Sequence, residues 1–236
     1  MQRLITTFVY SNKEEEGNVK PAILKLHLND YIEMSKAFIY SYPFPRSPEE
    51  FKEVKNNICG EMPGKEVEDF KVKPRFGFTG IRKFDNHFFV GSWNGVYVLN
   101  DELGLRNIIT NKLMCDLHGI WVDKYGILSV LTGKDTLVRT SFDGKVMGHI
   151  TIGPDLKVTK DTSIEETDWR FISKQRRGSC GYWHFNSIQR VGDEVLLLSR
   201  NANSIVAYNT ITGTAKLRLM SVKEPTLLHD GDLVDG

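Results

Sequence analysis

The chain has 236 residues, 40% of them hydrophobic and 26% charged, with a formal net charge of +1. This is the composition of one sizeable globular domain or two small ones. The near-neutral balance argues against a nucleic-acid partner held by bulk electrostatics. No apolar run approaches the roughly 18 residues that a membrane span needs. Cys59, Cys115 and Cys180 are far apart and odd in number, with no Cys-x-x-Cys pair to support a zinc ribbon or a disulfide framework, and read as reduced, partly buried thiols.

In chain order, residues 1–10 combine one charge with a short apolar run and no small-residue cleavage site, which predicts a strand rather than a signal peptide and a cytoplasmic protein. A first unit follows with strands over 4–11 and 22–28. Residues 46–76 stand outside the repeat as an insertion, where Ser47, Pro48 and Glu50 are placed to open a short helix. A second unit begins at Thr79 and carries Asn94-Gly95 between two apolar runs, a two-residue hairpin signal. A third begins at His118 and carries Gly126 at its first turn and Asp143-Gly144 at its last. A second insertion, 155–181, holds the basic cluster Lys174-Gln175-Arg176-Arg177. The fourth unit begins at His184, with Gly192 at its first turn and Thr212-Gly213 at its last. Residues 227–236, with His229 and Asp230, match the opening strand of a further unit.

Each unit is a short apolar strand, a turn, a second strand closing on Ser or Thr, a polar hairpin and a third strand. Short strands recurring at a period of roughly 40 to 45 residues predict an all-β fold, a β-propeller. The blades are predicted at about 1–45, 77–114, 115–154 and 182–225. The first unit lacks an inner strand. The chain reads as four blades cut from a larger, six-bladed ring; the alternative is that 227–236 completes the first blade and closes a four-bladed ring.

Inner strands line the channel of a propeller, so residues at equal positions of successive blades converge. His118 and His184 precede Gly126 and Gly192 by the same interval, which places both, with His229 and Thr79, toward one channel. Three converging imidazoles can hold a divalent metal ion, or one can act as acid or base. Asn186, Asp230 and Arg200 stand beside them, and Arg200 can face an anion. His27, His87 and His149 fall on outer strands or turns and are expected at the surface.

The fourth unit, from Trp183, His184, Asn186 and Ser187 through 194–201 to 205–213, resembles blades of the bacterial arylsulfotransferases and, more loosely, NHL-type propellers. The first resemblance implies a six-bladed fold and a transferase in which a channel histidine, His184 here, carries a sulfuryl group with Asn186 and Arg200 near it. The residues themselves lead to a ligand-binding or interaction propeller whose partner is a small-molecule or anionic ligand, or a protein. A propeller enzyme acting through His118 and His184, whether a transferase or a metal-dependent lyase or hydrolase, is the alternative.

Overall fold

The computed structural model describes residues 2–11, 19–28, 34–40, 49, 52, 55–63, 78–160, 162–171 and 181–220. Glu49 and Lys52 are helical, and the rest of the helix expected after Ser47 lies outside the described residues. So do Lys174–Arg177, Cys180, His229 and Asp230. Among the described residues no helix is long and apolar enough to cross a membrane.

Among the described residues the strands form four sheets. β1 (Gln2–Ser11), β2 (Val19–Leu28) and β3 (Met34–Tyr40) make a three-stranded meander. β4 (Ile58–Gly60) joins β5 (Phe78–Phe84), β6 (His87–Ser92), β7 (Gly95–Leu99) and β8 (Leu105–Thr110) in the order β4-β8-β7-β6-β5. β9 (Leu117–Asp123), β10 (Gly126–Leu131), β11 (Thr136–Thr140), β12 (Val146–Ile152) and β13 (Val158–Thr159) follow in simple succession. β14 (Phe185–Val191), β15 (Glu194–Ser199), β16 (Ser204–Asn209) and β17 (Thr214–Met220) make the last sheet. Apart from the parallel β4–β8 pair, neighbouring strands run antiparallel.

The first strands of successive sheets pack on one another, β5 on β9 and β9 on β14. Each second strand also meets the next first strand, β6 against β9 and β10 against β14. β1 meets β5 in the manner of such a second strand. Radial meanders joined through their inner strands are the blades of a β-propeller.

The cores lie between blades. Phe89, Val96 and Val98 pack against Ile120, Val122 and Ile127. Leu128, Val130 and Leu137 pack against Val195, Leu197 and Val206. At about 25 cal/mol per Å² of apolar surface buried, these seams are the main force holding blades together.

Three local expectations need correction. The hairpin between β6 and β7 pairs Ser92 with Gly95, so its turn is Trp93-Asn94 and Gly95 already begins a strand. His149 is buried, at 4% exposure. It lies on β12, which β13 covers on its outer side, so the fourth strand of this blade is not its edge. His87 is half-buried, and nothing is described of the side chain of His27. The insertions are also not wholly outside the repeat, because each supplies a fifth strand, β4 and β13.

β4 is seated by a backbone contact. Gly60 and Gly144 face each other, both at positive φ, and a Cβ on Gly144 would lie 2.4 Å from the Gly60 Cα. Gly144→Ala is therefore expected to cost about 2 kcal/mol or more in a urea melt. A loss under 0.5 kcal/mol would show that the contact relaxes freely.

Candidate functional site

The pairing register decides which residues are equivalent. The first hairpin of each blade closes at Phe84↔His87, Asp123↔Gly126 and Val191↔Glu194. Counting back from these closures, Thr79, His118 and Asn186 occupy one position. In all three blades the ladder skips that residue: pairing steps from Phe78 to Gly80, from Leu117 to Gly119 and from Phe185 to Ser187. The same bulge thus recurs at the same place, a device that re-aims side chains at strand ends.

His184 belongs to a different position, equivalent to Asp116. Both have left-handed backbones, φ 54° at Asp116 and 50° at His184. Both carbonyls accept the N–H that follows the second strand, from Thr132 at 3.0 Å and Arg200 at 3.1 Å. The equal spacing of His118 and His184 from a glycine was therefore misleading. Gly126 is the first residue of β10, whereas Gly192 lies inside its turn.

The two rings nevertheless meet. Their centroids are 5.5 Å apart and their planes cross at 75°, edge to face. The Nε2 of His118 lies 3.3 Å from Asp116 Oδ1, so a carboxylate backs this imidazole from the entrance of its own strand.

His184 is positioned from the neighbouring blade. Asp135 follows the 3-10 turn Thr132–Lys134 and accepts backbone N–H groups from His184 on Oδ1 and Trp183 on Oδ2, each at 2.9 Å. Burial of this carboxylate raises its pKa from 3.8 to about 6, against the opposite pull of the N–H groups of Trp183, His184 and Phe185. Gly181 lies flat on it; a Cβ there would come within 2.3 Å of the carboxylate carbon. Thr132 completes the link by donating its hydroxyl to the Phe185 carbonyl at 2.6 Å. One hairpin thereby holds both the segment bearing His184 and, through the Asp116 carbonyl, the carboxylate beside His118.

The other expected residues are placed as follows. Asn186 is buried in its bulge. Arg200 donates its backbone N–H to the His184 carbonyl, and its Nε is enclosed with no hydrogen-bond partner. The Thr79 hydroxyl is also enclosed; it lies against Gly91, where a Cβ would sit 3.0 Å away. Among the described residues no group of three or more His, Cys, Asp or Glu side chains is arranged to hold a metal ion.

Sequence reasoning missed Asp116, Asp135 and Arg82. Asp116 had a visible signal, an acid two residues before a histidine. Arg82 reaches from β5 past the Trp121 ring, 5.8 Å away, to the Ile188 carbonyl of β14 at 3.3 Å, tying the inner strands of alternate blades.

The second insertion docks at this same end of the blades. Trp169 donates its backbone N–H to the Lys112 carbonyl at 2.7 Å and stacks under Lys134 Nζ at 4.4 Å. Its indole lines a cleft with Leu113, Cys115, Leu131 and Ile164.

No protein-family model matches the chain, and no curated protein matches it in sequence. Solved structures do. The WD40 domain of Neurospora crassa Pan2 is 8% identical, with a TM-score of 0.42 over 86% of this chain and 45% of that one. Myxococcus xanthus glutaminyl cyclase is 7% identical, with a TM-score of 0.45 over 84% of this chain and 64% of that one. AztD from Citrobacter koseri is 8% identical, with a TM-score of 0.38 over 84% of this chain and 43% of that one. The chain spans less than two thirds of each of these structures, and the likeness is one of fold.

Proposed function

We propose that the chain is a ligand-binding propeller whose ligand face is built around His118 and His184, and that its ligand is a small anion or carries an anionic group. The observation that carries this reading is the meeting of the two imidazoles at 5.5 Å. Paired imidazoles offer N–H donors, and Arg200, whose backbone N–H bonds the His184 carbonyl, carries a guanidinium that can pair with an anion. Titration with inorganic sulfate, inorganic phosphate and 4-nitrophenyl sulfate, followed by the imidazole NMR resonances, tests it. A saturable shift is expected with at least one probe, and His118→Ala and His184→Ala should each weaken binding about tenfold or more, the loss of one charge-assisted hydrogen bond. Shifts in neither ring would sink the anion reading.

A second reading is favoured by Asp116. A carboxylate 3.3 Å from His118 Nε2 is the arrangement that orients a general acid or base. Combined with the resemblance to arylsulfotransferases, it casts His184 as the group that receives a sulfuryl moiety from an aryl sulfate and His118 as its proton partner. Release of 4-nitrophenolate in the presence of a phenol, abolished in His184→Ala, is the outcome this reading requires. A divalent metal would need a third ligand, for which we propose His229; metal bound in stoichiometric amount and lost in both histidine variants is its test.

A further inference from the structure

The far ends of the same inner strands carry a second cluster. Asp123 is the last residue of β9, and its carboxylate joins two blades. Its Oδ1 accepts from Arg139 of β11 and its Oδ2 from Arg190 of β14, each at 2.9 Å. His118 stands at the opposite end of β9, roughly 15 Å away along an extended strand, so the cluster is separate from the imidazole pair.

Strand pairing identifies the same three positions in the preceding seam. Phe84, Val98 and Val122 stand between the second and third blades where Asp123, Arg139 and Arg190 stand between the third and fourth. All three are apolar and belong to the core there. Apolar packing closes such a place as well as an ion pair does or better, so closing the seam does not account for the charges.

The charged seam is also uncovered at its mouth. Phe142, in the β11–β12 turn, covers the earlier seam with its ring centroid 5.9 Å from that of Phe84 and 5.6 Å from that of Phe89. Its counterpart in the β16–β17 turn is Thr210, whose hydroxyl donates to the Asp193 carbonyl at 2.9 Å. The side chains of Arg139 and Arg190 keep 20% and 25% exposure. Among the described residues the NH2 group of each makes no hydrogen bond, and Glu194, in the next turn, is taken by Lys216 and Arg218. Tyr125, whose N–H donates to Asp123 Oδ1, is 58% exposed, and Val191, next to Arg190, is 53% exposed. Arginines beside an exposed aromatic ring are the composition of a binding hot spot.

We propose that the mouth of the seam between the third and fourth blades docks an acidic segment of a partner protein, with a carboxylate across the free edges of Arg139 and Arg190 and an apolar side chain on Tyr125 and Val191. Charge complementarity selects this occupant. The mouth holds Arg139, Arg190 and Lys124, which lies over the Tyr125 ring at 5.0 Å, against the single acid Asp123. Guanidinium edges match carboxylates, and clustered arginines recognise acidic motifs. A free oxyanion would engage the arginines and leave the apolar pair unused.

The probe is the capped peptide Glu-Glu-Leu-Glu-Glu, titrated at about 0.15 M salt to screen diffuse attraction. The Val191 methyl and Arg190 Nε–H resonances are followed by NMR. Saturable shifts are expected, and none with Gln-Gln-Leu-Gln-Gln. Arg139→Val should weaken binding about tenfold or more, the loss of one charge-assisted hydrogen bond. Its urea midpoint should match that of the parent, because Asp123 keeps Arg190. The triple variant Asp123→Phe, Arg139→Val and Arg190→Val, which copies the preceding seam, should fold without binding. No shift with the acidic peptide, equal shifts with the glutamine peptide, or undiminished binding in Arg139→Val overturns the proposal. The same shifts from inorganic phosphate and none from the peptide overturn it, because a small anion is then the occupant. Loss of the fold in Arg139→Val overturns it too, because the second arginine then serves the fold.

Discussion

Asp135→Ala is expected to lower the unfolding free energy by about 3 kcal/mol at pH 4, with the deficit narrowing as the pH rises to 7. Two backbone N–H groups lose their acceptors, each at about 1–3 kcal/mol when buried. The pH trend follows from the carboxyl itself. Its pKa is about 6 in the folded chain against 3.8 for the ordinary group, with burial as the largest cause. Below about pH 4 both states carry the proton. Between about 4 and 6 the folded state keeps a proton that the unfolded state has lost, so wild-type stability falls with rising pH, by about 3 kcal/mol in all from this group. Above 6 the loss is complete. Alanine does not titrate, so its own curve lacks this decline. Urea unfolding at pH 4, 5, 6 and 7 checks both statements, and a wild-type-to-alanine difference that stays constant across that range would refute the second.

Asp168→Ala should be comparably severe, at about 3 kcal/mol. Arg170 has no exposed side-chain surface, and Asp168, at 18% exposure, clamps it through both carboxylate oxygens. Its remaining NH1 donates to the Glu61 carbonyl at 2.6 Å, just beyond β4. Removing the acid strands a buried cation, and that is worse than removing the whole pair. Arg170→Met should therefore cost less than Asp168→Ala, because the acid left behind is partly hydrated. The ordering is the measurement that matters, obtained from urea midpoints of the two single variants and the double. The 155–181 segment should also become a faster target for trypsin in Asp168→Ala, since Arg170 ties it to the second blade. Equal costs for the two single variants would mean that packing, not charge, holds the insertion.

The two expectations differ in what made them visible. Nothing in the sequence around Asp135 separates it from any acid in a polar hairpin; its meaning lies in Trp183 and His184, far along the chain. The same holds for Arg170, whose partners span both insertions. Asp116 was legible in principle as an acid beside His118, but only the structure brings its carboxylate within 3.3 Å of that ring. The equal glycine spacing was legible and wrong, because Gly126 and Gly192 serve different roles in closing their turns, a distinction made by strand pairing.

The sequence by itself determined the fold class, the course of the repeating strands and the last turns of the third and fourth blades, because two-residue alternation and turn residues act over a few positions. It also brought attention to His118 and His184. Only the tertiary structure decided that β4 and β13 are strands, since two or three residues hold as a strand only when a distant ladder supplies the partners. The same dependence on remote partners made Asp135 the anchor of His184. Burial and pairing are set by what arrives from elsewhere in the chain, and no local pattern carries that information.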